Sequence, residues 1–170
     1  AFDAAGGRPL PPPPPRRQSP AINATALHRA WLASSAPEAL ATFAASLGLS
    51  VPSLVAVGAA WAPPHAAWAF PMCDGYGNVV GIRLRNDKGK FAVRGSRQGI
   101  FLATVPAPVP PHPWLFVCEG PTDTAAAVEL GLFAVGRPNC CCGGPEIKEY
   151  ARRFGVARAV MVSDNDKPGL

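Results

Sequence analysis

The sequence predicts an α/β chain, α+β overall: a parallel sheet with flanking helices, preceded by a small basic antiparallel β subdomain and a short helical lead-in. Three observations predict it. After Pro113, apolar runs alternate with helical patterns, the order that gives parallel βαβ units. Between Ala66 and Gly95, short alternating runs are separated by turn clusters, which reads as an antiparallel meander. From Ala24 to Val57, apolar residues recur at helical spacing.

The elements follow in order. Residues 1–23 are rich in Pro and Gly and lack periodicity, as in a disordered tail or a linker. Residues 24–60 form the helical lead-in. Leu27, Trp31 and Leu32 fall on one face; Leu40, Phe43 and Leu47 repeat at i, i+3 and i+7, and Gly48 is placed to end that helix. Ser50-Val51-Pro52 opens a third short helix. Residues 61–105 form the β subdomain. "DGYGN" and "NDKGK" are its turns, and Val80, Ile82 and Leu84 alternate with Gly81, Arg83 and Arg85, which predicts one apolar and one basic face. Residues 106–113 are a proline-rich linker. In 114–170, Leu115–Cys118 reads as a strand, Thr122–Leu130 as a helix that Thr122 can cap, Phe133–Val135 as a strand, Glu146–Phe154 as a helix and Ala157–Ser163 as a strand.

Composition excludes several classes. Five cysteines, three of them contiguous and none in a CxxC pair, support neither a disulfide framework nor a structural zinc site. A reducing, cytoplasmic setting fits best. The start has no signal-like apolar core. The uncharged stretch from Ala39 to Cys73 is interrupted by four prolines and is rich in alanine, so no membrane span is expected. Asn23-Ala24-Thr25 matches a glycosylation acceptor, which carries no meaning in a cytosolic chain. His28, His65 and His112 are scattered and give no ligand set. The triplet Cys140-Cys141-Cys142 follows the second strand of the last segment; with no histidine near, it reads as loop residues rather than as a redox or metal site. Trp61, Trp68 and Trp114 are expected in packing, the alternative being base stacking.

The chemistry-bearing residues are acids at strand ends. Glu119 follows the run "LFVC", with Asp123 four residues on; Asp164 and Asp166 follow "AVMVS". Residues two apart in an extended chain project to one side, and parallel strands end along one edge. Carboxylates gathered there repel unless a cation sits among them, and hard oxygen ligands suit Mg2+ or Mn2+. "DNDKPG" also resembles the start of a calcium loop, but Pro168 stands where that loop needs an oxygen ligand, and the late glutamate is missing. Charge is segregated. Arg83, Arg85, Lys88, Lys90, Arg94 and Arg97 meet only Asp87 between residues 81 and 100, a local net of +5 that matches the whole chain's formal +5. A cationic platform therefore adjoins an anionic pocket, and nucleic acid needs such a platform for its phosphates.

"VCEGPTD", followed by "GLFAVGRPN" and "VMVSDND", resembles the Toprim domain shared by bacterial-type primases, topoisomerases and some nucleases. The likeness covers about Pro113 to Leu170. It implies that Glu119, Asp164 and Asp166 carry catalysis and metal binding, with Asp123 a further ligand and Gly120 and Gly169 the motif glycines. "AFPMCDGYGNVVGIRLR" resembles the segment before Toprim in primases, through Phe70, Pro71, Asp74, Gly77, Gly81 and Arg85. Cys73 stands where related segments often carry a basic residue. "GSRQGIF" is most similar to phage, plasmid and mobile-element versions, often fused to a helicase. The resemblance implies a DNA primase catalytic core that makes RNA primers on single-stranded DNA from ribonucleoside triphosphates, with Mg2+ or Mn2+ as cofactor and a replicative helicase as a partner. Arg83, Arg85, Lys90, Arg94 and Arg97 would hold template or nucleotide phosphates. It also implies a further helix and strand beyond Leu170. The competing readings are a non-catalytic nucleic-acid-binding Toprim fragment and a Toprim-type nuclease.

Overall fold

The computed structural model describes residues 20–104 and 113–163. Most of the proline-rich tail and linker lies outside those ranges, as do Asp164, Asp166 and Gly169. Three helices open the described chain: α1 (Ala24–Ser34), α2 (Pro37–Leu47) and α3 (Val51–Ala56). Asn23 caps α1, its side chain accepting from the Ala26 N–H at 3.0 Å. Gly48 ends α2 in a left-handed conformation, φ 67°, its N–H turned back to the Ala44 and Ala45 carbonyls. Ser50 caps α3 through Ser53. The buried stripe of α1 is Ala24, His28 and Trp31. Leu32, expected on that face, is exposed: the inward arc passes through i, i+4 and i+7 from Ala24, and the next residue lies about 100° round the helix.

Four strands make the first sheet, in the order β1 (Ala60–Ala62), β2 (Ala67–Cys73), β3 (Val79–Asn86), β4 (Gly89–Ala92), all antiparallel. The predicted strands and turns of the meander are present. Its expected division into an apolar and a basic face needs correction. β2 is buried almost throughout, because helices cover both sides. Ala67, Ala69, Ile82 and Leu84 pack with Ala24 and Trp31 of α1. Trp68, Phe70 and Met72 pack with Leu40, Ala44 and Leu54 of α2 and α3. Pairing puts Arg83 beside Phe70, and Arg85 between Trp68 and Lys90. The basic side chains thus share a face with large core residues, and only the β3–β4 end of that face carries charge.

The second sheet runs β5 (Phe101–Leu102), β7 (Ala134–Gly136), β6 (Trp114–Cys118), β8 (Arg158–Met161). β6 is central and parallel to both neighbours, as the βαβ order requires. Helix α4 (Pro121–Glu129) connects β6 to β7 and α5 (Gly144–Arg153) connects β7 to β8. Cys118, Ala127 and Ala134 pack together, joined by Phe116 and Val128; Leu115, Val117, Phe133 and Val135 pack with Tyr150 of α5. β5 was not foreseen. It lies before the linker in sequence, yet pairs antiparallel with β7. Just ahead of it, Ile100 exchanges backbone hydrogen bonds with Cys73 at 2.7 and 2.8 Å, which ties the two sheets together. Arg153 adds a second tie, donating to the Gly75 carbonyl at 2.9 Å. Among the described residues, no helix is long and apolar enough to cross a membrane.

Candidate active site

β6 delivers Cys118, fully buried, to the edge of the second sheet, and the chain turns at Glu119-Gly120 into α4. Gly120 has φ 144°, a conformation that side chains disfavour. Pro121 then starts the helix, where its missing N–H costs nothing. Thr122 does not cap α4, contrary to expectation: Gly120 holds the cap position and no side chain caps it. The Thr122 hydroxyl instead accepts from Arg85 Nη1 at 2.9 Å, which fastens the cationic sheet to this turn. Thr124 closes the turn from within, its buried hydroxyl donating to the Gly120 carbonyl at 2.7 Å.

The parallel register pairs Cys118 with Gly136, so Glu119 and Arg137 emerge side by side. Arg137 Nη2 donates to Glu119 Oε1 at 2.5 Å. Both side chains are mostly buried, 15% and 20% exposed. Arg137 Nη1 donates to the Cys140 carbonyl at 3.1 Å. Its Nε is buried without a partner among the described residues. Sequence reasoning passed over Arg137 as a site residue. The signal was available: it follows β7 by one position, as Glu119 follows β6.

Arg83, Arg85 and Lys90 face Glu119, Gly120 and Pro138 across a small cleft, also lined by Phe70 and Phe101. These three cations come from β3 and β4 of one sheet, the carboxylate from the turn after β6 of the other. Three expected site residues are placed elsewhere. Arg94 and Arg97 follow β4 and do not line the cleft. Asp123 sits half-buried in the first turn of α4, a favourable place for a negative charge. It adds to burial in pushing the Cys118 thiol up to about 11. Among the described residues, no three His, Cys, Asp or Glu side chains gather into a metal-binding group. β8 runs beside β6, with Val162 donating to the Val117 carbonyl at 2.8 Å. The described chain thus ends, at Ser163, on the same sheet edge as Glu119.

Trp61 and Trp68 are packing residues; Trp114, expected in packing, is exposed. Trp68 stacks on Phe43 at 4.5 Å, Trp61 meets Trp68 edge-on, and Trp114 lies under Arg158. His28 is buried, with Nε2 2.7 Å from the Gly58 carbonyl, and burial lowers its pKa.

No family model and no curated protein matches the chain. Solved structures do. A DnaG primase catalytic domain bound to ssDNA aligns at TM-score 0.62 and 16% identity, over 85% of this chain and 63% of that one. The E. coli primase catalytic core gives 0.60 and 16%, over 85% and 62%. The primase fragment of the bacteriophage T7 primase-helicase gives 0.54 and 18%, over 74% and 54%.

The chain has the fold of a DnaG primase catalytic core.

At these identities the likeness is one of fold, and the chain spans about 63% of the length of the first of these structures. The fold class expected from the sequence, a Toprim-like sheet behind a basic antiparallel subdomain and a helical lead-in, is the one observed. In this primase-type fold the cleft lies between the two sheets, outside the carboxyl end of β6, where open α/β sheets bind ligands.

Proposed function

We propose that the chain is the catalytic core of a DNA primase, joining ribonucleotides on a single-stranded DNA template. The observation that carries this reading is the convergence, in a primase-type fold, of Arg83, Arg85 and Lys90 with Glu119 on one cleft. Cations there neutralise the phosphates of template and incoming ribonucleoside triphosphate. Arg85 is set in place by Thr122, so the phosphate-binding wall is indexed to the turn that carries Glu119. Arg94 and Arg97 extend the basic surface along the template.

A divalent cation, Mg2+ or Mn2+, belongs to this reading. The donor chemistry fits in kind: Glu119 would offer a hard carboxylate oxygen, and no His or Cys side chain lines the cleft beside it. Asp164, Asp166 and Asp123 would complete the set. The cation supplies charge stabilisation to the attacking and leaving oxygens of phosphoryl transfer. Arg137 fixes the Glu119 rotamer and neutralises the carboxylate. Glu119 then orients the reacting 3′-hydroxyl or accepts its proton. A replicative helicase is the expected partner, by analogy with the T7 primase-helicase, and the "GSRQGIF" resemblance makes a mobile genetic element the expected context.

The test is primer synthesis from ribonucleoside triphosphates on single-stranded DNA with Mg2+, run beside Asp164→Ala. Synthesis lost in the variant supports the reading. Cleavage of the DNA would make the chain a nuclease. Binding with neither activity would make it a nucleic-acid-binding module.

A further inference from the structure

The loop from β7 to α5 carries three contiguous cysteines that the proposed chemistry does not use. Cys140 and Cys141 are exposed and Cys142 is half-buried, whereas Cys73 and Cys118 are buried. Burial pushes both buried thiols up to about 11, helped by Asp74 and Asp123 respectively. The Cys140 and Cys141 sulfurs lie 3.5 Å apart, in hydrogen-bond contact. The loop is held in shape by Asn139, which accepts from the Cys141 N–H at 3.0 Å. Its second anchor is the Cys140 carbonyl, which accepts from Arg137. The guanidinium that grips Glu119 therefore also grips the backbone of the cysteine pair.

We propose that Cys140 and Cys141 form a reversible thiol–disulfide site, oxidised by a small-molecule disulfide and coupled through the Cys140 carbonyl to the Arg137–Glu119 pair. In the first step one thiol gives its proton to solvent. Its thiolate attacks a sulfur of the small disulfide and expels one small thiolate. The neighbouring cysteine then loses its proton, and its thiolate attacks the protein-side sulfur of the mixed disulfide. The Cys140–Cys141 bond forms, and the second small thiolate leaves. The two expelled thiolates take up the two protons; the protein pair loses two electrons and the small disulfide gains them.

The product is an eight-membered ring that contains the Cys140 carbonyl carbon. Adjacent Cα atoms are about 3.8 Å apart, less than the usual span of about 4.4–6.8 Å across a disulfide. The ring is strained, and strained disulfides are the readily reduced, reversible ones. Closing it turns the carbonyl that Arg137 holds. Coupling of this kind is reciprocal: if oxidation loosens the Arg137 contact, removing Arg137 must favour oxidation.

The test equilibrates the full chain in mixtures of reduced and oxidised glutathione, traps free thiols by alkylation and reads the products by mass spectrometry. The expected product is an internal disulfide in the peptide bearing residues 140–142, with Cys73 and Cys118 alkylated only after unfolding. Cys140→Ser and Cys141→Ser each abolish it, and Cys142→Ser keeps it. Arg137→Ala shifts the midpoint several-fold toward the disulfide; Arg137→Gln is read if that variant does not fold. Stable mixed disulfides, a bond that requires Cys142, or a midpoint indifferent to Arg137 would each overturn the proposal.

Discussion

Arg137 Nη2 meets Glu119 Oε1 at 2.5 Å at the ends of two adjacent parallel strands, and each residue reaches the other because β6 and β7 are in register at Cys118 and Gly136. A carboxylate mostly buried beside a wall of cations is stabilised there by the arginine that pairs with it. Removing either partner leaves the other charge poorly solvated. Glu119→Gln and Arg137→Ala each lower stability by about 1–3 kcal/mol. The double variant loses less than the two singles together, because the second substitution removes an already orphaned group. Urea unfolding of the four proteins measures this coupling; strict additivity would show that the pair contributes nothing.

Arg83, Arg85 and Lys90 line the cleft, so each alanine substitution weakens single-stranded DNA binding and reduces the slope of log affinity against log salt by about 1. Thr122→Val, which removes only the hydroxyl that positions Arg85, weakens binding less and leaves the slope unchanged. Fluorescence anisotropy across a salt series separates the two effects. An unchanged slope in all three alanine variants contradicts the placement of phosphates in this cleft.

Much of this arrangement was legible in the sequence, for physical reasons that vary by residue. Gly48 announces the end of α2 because a left-handed cap favours glycine. Glu119 stands out because an apolar run ends abruptly at it, and the Asp87-Lys88 turn because it interrupts strict alternation. β5 left no comparable sign: two residues carry no periodicity, and their pairing with β7 is fixed by the tertiary fold. β2 read as one-sided because its alanines and aromatics are both apolar; only the helices on each side reveal two buried faces. Arg137 was readable only by laying one parallel strand beside the other. Thr122 was misread because a threonine before a helical pattern suits a cap, whereas Gly120 and Pro121 had already started the helix.

Gly136 leaves no room for a side chain. A Cβ there would press into Thr124 Oγ1 and the Gly120 carbonyl, the two groups whose hydrogen bond closes the turn at Glu119. Gly136→Ala is therefore expected to lower both the melting temperature and nucleotide or DNA affinity. Gly144→Ala, at a glycine with open space around it, is the control and leaves both near wild type. Equal behaviour of the two variants would show that the turn is not sensitive to packing at this contact.

His28 is buried beside the Gly58 carbonyl, and burial lowers its pKa below the ordinary 6.5. The unfolded chain then binds a proton that the folded chain resists, so stability falls as pH drops below about 6.5. His28→Gln retains a hydrogen-bond donor without titrating in this range. Denaturation midpoints between pH 7.5 and 5, on a scale of about those values, are expected to fall more steeply in the wild type than in the variant. Parallel profiles would remove His28 from the pH response.

The most direct measurement of the central claim is primer synthesis by Glu119→Gln on single-stranded DNA with Mg2+, beside wild type and with DNA affinity measured on the same samples. The account predicts that the variant binds DNA about as well as wild type, while the rate of ribonucleotide joining falls by about 100-fold or more, the scale set by loss of an acid–base or charge-stabilising group. Wild-type rates in the variant would contradict it.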